Sequence, residues 1–265
     1  MAKVKAPSRK LKGTRLKIDR ANKHIADFKE VVTQFLWFTP NLYGPQPKTR
    51  KNRNPKHLKD VFRLKVALPN ELFTTAGDAI HNLRSALDHV AFAIAIKAGV
   101  KSARALRDID FPIRRNRKTF NDSLNKAAVK QCGAKALAFY RCLKPYNRGN
   151  KRLWALQDLD VVDKHRKLLV LIPRAGVVRI IPGGGSPPID LATAVSLKKG
   201  IKTSAIAAAH GYPNAKTQLA PLIAFDHVGF RSTDAVEVLE KLSTYVTAII
   251  EEASVATQNV PPVAG

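Results

Sequence analysis

The sequence predicts an α+β protein, mostly helical with a small antiparallel sheet or hairpin. Apolar residues recur at the spacing of a helix, about 3.6 residues per turn, in several long stretches. Period-two alternation is confined to a few short ones. Of the 265 residues, 45% are hydrophobic, enough to bury a core and to argue against wholesale disorder. These features predict one helix-rich domain over residues 14–256, with a sub-boundary near 183–188. It lies between a disordered basic tail at 1–13 and a disordered tail at 257–265.

Each element has its own signal. Residues 14–38 place Leu16, Ile18, Ile25, Phe28, Val31, Val32, Phe35 and Leu36 at mostly helical spacing. Residues 41–57 read as a loop, broken by Pro45, Pro47 and Pro55. VFRLKVAL at 61–68 alternates like a strand, and Pro69 ends it. The strongest helix spans 71–98. At ~100° per residue, Ala79, Ile80, Leu83, Ala86, Leu87, Val90 and Ile94 share one side. Its end, AFAIAI at 91–96, is apolar all round and reads as running through the core. FPI at 111–113 is extended, 119–143 is one or two helices with a break at Gly133, 144–151 is a loop, and 152–167 is helical. Residues 168–172 and 177–181 read as two strands about a turn at 174–176. GGGSPP at 183–188 reads as a linker, 189–215 fits neither period, and 219–225 reads as a strand. Ser232 or Thr233 caps a last helix running to 253, with Asp234 and Glu237 in its first turn.

Charge is the next constraint. The chain carries 46 Lys and Arg against 20 Asp and Glu, a net +26. Residues 1–65 hold 18 basic and 4 acidic side chains, residues 66–96 hold 1 and 3, residues 97–152 hold 16 and 3, and residues 153–265 hold 11 and 10. Two basic blocks therefore flank a near-neutral segment. Such a field predicts a polyanion partner such as RNA, DNA or anionic lipid, though it names no reaction. No uncharged apolar run is long enough to span a bilayer, so no membrane span is expected. The basic N-terminus lacks the apolar stretch of a secretory signal. Cys132 and Cys142 are too few for a disulfide framework or a Cys-based zinc site, and read as reduced thiols of a cytoplasmic protein.

Two helical stripes are candidate sites. In GDAIHNLRSALDH, at 77–89, the residues His81, Arg84, Ser85 and Asp88 share a face, and His89 sits at its edge. No Lys or Glu occurs from Thr74 to Ile96, although Lys is abundant elsewhere. Asp, Asn, Ser and His are weaker helix formers, better explained by partners within the protein or by a ligand. In LWALQDLDVVDKHRKLL, at 153–169, Trp154, Val161, Val162, Leu168 and Leu169 form an apolar face, with Asp158 and His165 in its middle. Asp160, Asp163, Lys164 and Lys167 point the other way. A carboxylate on a buried face needs a partner, so Asp158 predicts Arg84 or His81, and His165 predicts Asp88 or another acceptor.

Basic loops supply nucleic-acid candidates: Arg50, Lys51 and Arg53 near Trp37, Phe38 and Tyr43, then Arg114, Arg115 and Arg117 with Phe120 beside them. No metal site is expected, because His81 and His89 are ~12 Å apart along a helix. No cofactor is expected either: GGGSPP is followed by no Lys-Ser/Thr, and neither a dinucleotide fingerprint nor a G-x-S-x-G elbow occurs.

Two resemblances follow from these motifs. FRLKV (62–66), GDAIHNLRSALDH, FPI, KPY (144–146) and LWALQDLDVVDKHRKLL occur in an order that resembles a group of uncharacterised bacterial proteins. That likeness covers roughly 14–172 and implies a bacterial protein but no chemistry. Arg84, four residues and then His89 on a helix resemble the Arg–His motif of the HEPN superfamily. Many of its members are metal-independent ribonucleases with a site at a dimer interface. The resemblance implies a homodimer in which His89 is general base for 2′-hydroxyl attack and Arg84 stabilises the transition state. The chain departs from the motif in having Ser85 after the arginine, and Arg84 and His89 diverge by about 140° around a helix.

Taken together, the residues predict a basic cytoplasmic protein that contacts nucleic acid, and the first resemblance implies that it is bacterial. The alternatives are a HEPN-like ribonuclease, or a small-molecule enzyme with a site between helices 71–98 and 152–167 that uses Asp88, Asp158 and His165 as acid–base groups.

Overall fold

The computed structural model describes residues 12–38, 43–45, 61–64, 67–165, 171–182, 187, 189–196, 201–202, 207–209, 211–212, 215–227, 229–230 and 233–258. Its helices are α1 (Lys12–Phe38), α2 (Asn70–Lys97), α3 (Ala103–Arg107), α4 (Arg117–Leu124), α5 (Ala127–Lys130), α6 (Gly133–Leu143), α7 (Lys151–His165) and α8 (Ala235–Gln258). The strands are β1 (Tyr43–Pro45), β2 (Val61–Leu64), β3 (Leu171–Ile181), β4 (Ile189–Ser196), β5 (Ile201–Lys202) and β6 (Lys216–Phe225). The fold is α+β and mostly helical, and its strands form two small antiparallel sheets, ordered β1-β2-β5 and β4-β3-β6.

Contacts divide the chain into two compact units. The first comprises Met1–Ala26, Thr75–Leu168 and Leu239–Gly265, and the second Asp27–Thr74 and Leu169–Val238. No linker composition announces this discontinuous division. The segment 183–188, where the sequence suggested a sub-boundary, falls mostly outside the described residues.

The first unit is helical. In α2 the expected face is the buried one: Ala79, Ile80, Leu83, Ala86, Leu87, Val90 and Ile94 are all core. Ile18, Ala21 and Ile25 of α1 recur at helical spacing in the same unit, as do Leu239, Leu242, Val246, Ile249 and Ala253 of α8. From α7 come Leu153, Ala155, Leu156 and Leu159. The buried extended residues Phe111 and Ile113 complete this core, and the Phe111 ring meets Tyr140 of α6 edge-on at 5.5 Å. The second unit holds both sheets, with Leu171, Ile180, Ile223, Ala224 and Phe225 buried in it.

Several local expectations change. The apolar end of α2 is not enclosed: Phe92 and Ile96 are exposed, so one side of the helix there is left open among the described residues. Residues 119–143 form three helices instead of one or two, α5 being a single short turn, and α6 opens at Gly133 with φ +84°. The two strands expected about 174–176 are one strand, β3, in which the register shifts between Ala175 and Val177. Gly176 therefore marks a bulge and not a turn. Tyr43–Pro45 is strand where a loop was expected, and Pro45 is tolerated there because β1 is an edge strand. The β2 strand is described over Val61–Leu64; residues 65 and 66 lie outside the described residues, and Ala67 and Leu68, predicted to be strand, are not strand. Lys12 and Gly13 belong to α1, and residues 257 and 258 to α8, so the helices reach into both predicted tails. The rest of those tails lies outside the described residues.

Asp234, and not Thr233, caps the last helix, and Ser232 lies outside the described residues. Asp234 Oδ1 accepts from the backbone N–H of Val236 at 2.8 Å and Glu237 at 3.4 Å. A carboxylate is favoured there because it both satisfies free N–H groups and suits the helix dipole. Burial nevertheless pushes its pKa up from the ordinary value, against the lowering effect of those N–H bonds. Among the described residues no helix is long and apolar enough to cross a membrane.

Candidate functional site

The polar stripe of α2 meets α7 as a ladder within the first unit. A Cβ on Gly77 would lie 2.7 Å from the Asp163 carboxylate, so the helices approach closely there. One turn on, His81 Nδ1 and Asp160 Oδ1 are 3.2 Å apart. One further turn on, Arg84 Nε donates to Gln157 Oε1 at 2.6 Å. Numbers rise along α2 as they fall along α7, so the two helices run antiparallel with their polar stripes facing each other. Close approach is possible because the α2 side is built from a glycine and residues without long flexible stems at its start.

The ladder ends on a backbone clamp. Asp88 Oδ1 accepts the Phe111 N–H at 2.9 Å, and Arg84 Nη2 donates to the Phe111 carbonyl at 3.3 Å. Arg84 Nη1 in turn donates to Asp88 Oδ1 at 2.5 Å. Phe111 is fully buried and lies in no sheet, so its backbone groups need partners that a strand would otherwise provide. Two side chains of α2 stand in for that strand. The NLRSALD and FPI motifs are thus halves of one structural device, 23 residues apart in sequence.

Burial separates the members of the ladder. Arg84 is 6% exposed and Asp160 3%, whereas the His81 side chain is 45% exposed and that of Asp88 42%. A buried Asp160 is tolerable because His81 and Lys164 both pair with it, the latter at 2.8 Å. The half-exposed His81 imidazole is oriented by the buried Asp160 carboxylate.

The α7 face is therefore rotated from expectation. Asp160, expected to face solvent, is buried, while Trp154, Val161 and Val162 are only half-buried. The segment carries apolar residues on two sides, and the Leu153, Leu156 and Leu159 side wins. Asp158 pairs with neither Arg84 nor His81, whose partners are those named above. Asp158 is half-buried and partnered elsewhere. The His165 side chain lies outside the described residues, although its backbone ends α7. His89 is exposed, and its ring lies beside Gly13 of α1, where an added Cβ would come within 3.3 Å of Nδ1. Arg84 and His89 thus leave α2 into different surroundings. Sequence reasoning missed Gln157, Asp160 and the Phe111 backbone as members of this cluster. A spacing rule applied to α7 with the opposite phase would have found the first two.

The basic candidates also sort by partner. Arg114 is held bidentately by Asp110 at 2.8 and 2.9 Å. Arg115 and Arg117 are exposed and have no side-chain partner among the described residues. Phe120 is buried, so it is core and not a stacking platform. Arg50, Lys51 and Arg53 lie outside the described residues. Among the described residues, no three His, Cys, Asp or Glu side chains converge to hold a metal ion. No protein-family model, curated protein or solved structure matches the chain.

Proposed function

We propose that the chain is a nucleic-acid-binding protein, with RNA as its first candidate, that uses the basic surface of residues 97–152. In this reading the α2/α7 ladder is scaffold. The observation that carries it is the division of cations by pairing. Arg84 and Arg114 spend their guanidinium groups on Asp88, Gln157, Phe111 and Asp110. Arg115, Arg117, Lys118, Lys126, Lys130 and Arg148 are exposed and unpaired among the described residues, in a block of 16 basic and 3 acidic side chains. Unpaired surface cations in that excess attract phosphates and gain from counterion release. The free thiols Cys132 and Cys142 suit a reducing cytoplasm.

The HEPN-like ribonuclease reading asks Arg84 to meet a phosphate, yet its guanidinium is buried and three of its five N–H donors are already bonded, to Gln157, Asp88 and the Phe111 carbonyl. One experiment separates the two. Labelled single-stranded RNA, duplex RNA and DNA of equal length are titrated by fluorescence anisotropy at rising salt, and the RNA is then run on a gel after incubation in EDTA. The expected result is salt-sensitive binding with intact RNA. RNA cut by wild type but not by His89→Ala would move the assignment to the ribonuclease. No binding to any strand at about 50 mM salt, where phosphate contacts are strongest, would remove the nucleic-acid reading.

A further inference from the structure

A cleft of about 470 Å³ opens in the first unit between α4 and the end of α6. Arg117, Asn121 and Asn125 line it from α4 and its C-cap, and Arg141, Lys144 and Tyr146 from α6 and the turn after it. Phe120 and Leu124 supply apolar wall. We infer that this cleft binds a terminal phosphate group, a phosphomonoester carried by a nucleic-acid end or by a free nucleotide. The inference rests on the nucleic-acid reading only for the first of those two sources.

The cleft concentrates charge that nothing in it neutralises. Its lining includes three cations and no carboxylate. Among the described residues, none of Arg117, Arg141 and Lys144 makes a side-chain hydrogen bond or ion pair. Helix dipoles explain only part of this. Arg141 and Lys144 sit at the C-terminal end of α6, where a cation is favourable. Arg117 sits in the first turn of α4, where a cation is unfavourable, and that turn has no acidic residue to offset it. Helix energetics thus argue against Arg117, and an anion in the cleft would reverse the sign.

The cleft wall is also held in place. Lys144 adopts a left-handed conformation, φ 48°, and its carbonyl accepts from Asn150 N at 2.9 Å. Asn150 Nδ2 donates to the Leu143 carbonyl at 3.0 Å. A Cβ on Gly149 would come 2.4 Å from the Lys144 carbonyl oxygen, so only glycine permits this turn. Arg114 N donates to the Pro145 carbonyl at 2.9 Å, tying the turn to the FPI segment. A fixed wall loses little freedom on binding.

The charge selects the kind of phosphate. An internal phosphodiester brings one negative charge, whereas a phosphomonoester brings about 1.5–2 near neutral pH with three acceptor oxygens. Three cations match the second. The volume suits a nucleotide-sized group, and Asn121 and Asn125 add polar lining to the same cleft.

The test compares one RNA sequence carrying 5′-phosphate, 3′-phosphate or only hydroxyl ends, with uridine 5′-monophosphate as a separate ligand. Anisotropy and calorimetry are read for the wild type and for Arg117→Gln, Arg141→Gln and Lys144→Asn combined. Asparagine tolerates the left-handed backbone at 144. The expected result is a preference of about tenfold or more for one phosphorylated end, the range of charge-assisted hydrogen bonds. That preference disappears in the triple variant, whose affinities for phosphate-ended and hydroxyl-ended RNA become equal. Equal affinity of the wild type for phosphate and hydroxyl ends overturns the inference and leaves the nucleic-acid reading in place. Binding of the mononucleotide without binding of RNA supports the cleft and overturns that reading. Binding of no phosphomonoester, while the wild type melts cooperatively, overturns the inference outright.

Discussion

Replacing Arg84 with methionine separates a scaffold from a site. Met keeps the apolar stem and deletes the guanidinium, so three hydrogen bonds are lost, to Asp88, Gln157 and the Phe111 carbonyl. Asp88 is 42% exposed and keeps its bond from Phe111 N, so water takes up most of its charge and that share is small. The buried Phe111 carbonyl and the Gln157 amide oxygen each lose a charged donor, at about 1–3 kcal/mol apiece. The sum is about 3 kcal/mol, a fall in Tm of roughly 6–10 °C for a chain of this size. The assay is thermal and urea denaturation, with RNA binding measured well below the melting temperature. The expected result is lower stability and unchanged affinity in the folded fraction. Unchanged melting together with lost RNA binding or lost RNA cleavage would refute the scaffold argument.

The same ladder predicts that Gly77→Ala destabilises the protein, although alanine gains ~1 kcal/mol over glycine inside a helix. The new Cβ would meet the Asp163 carboxylate, so Gly77→Ala with Asp163→Ala should recover the loss, as read by urea denaturation. Asp234→Ala should cost ~1 kcal/mol by removing the α8 cap, and Asp234→Asn should keep it. Because burial raises the Asp234 pKa in the folded state, the wild type loses stability as pH rises from below its unfolded value through its folded one. The wild type should therefore fall relative to Asp234→Asn over that interval, and parallel curves would contradict the assignment. Burial also pushes the Cys132 thiol up to about 11, while Cys142 is exposed. A thiol reagent near pH 8 should modify Cys142 at once and Cys132 only on unfolding, as mass spectrometry would read.

The parts of the fold that were legible in the sequence are those specified by local pattern. The buried face of α2 follows from spacing alone, and the absence of Lys and Glu on its other face marked a stripe with partners inside the protein. The partners themselves were not legible. Asp160 was assigned to solvent because α7 has two apolar faces, and only the presence of α2 decides which one is buried. The clamp on Phe111 joins side chains to a backbone far along the chain, and no periodicity reports such a contact. Gly176 reads as a turn from the sequence because a glycine between two β-rich runs looks the same in a bulge as in a turn. Arg141 and Lys144 carry no local signal in the sequence, because their meaning comes from Arg117 across the cleft, on a different helix.

The salt dependence of single-stranded RNA binding tests the central claim most directly. The account predicts that log K falls linearly with log salt for the wild type, and that Arg115→Gln and Arg117→Gln each reduce the slope by about 0.7, the share of one phosphate contact. An affinity that does not change with salt, or a slope untouched by both substitutions, would contradict it.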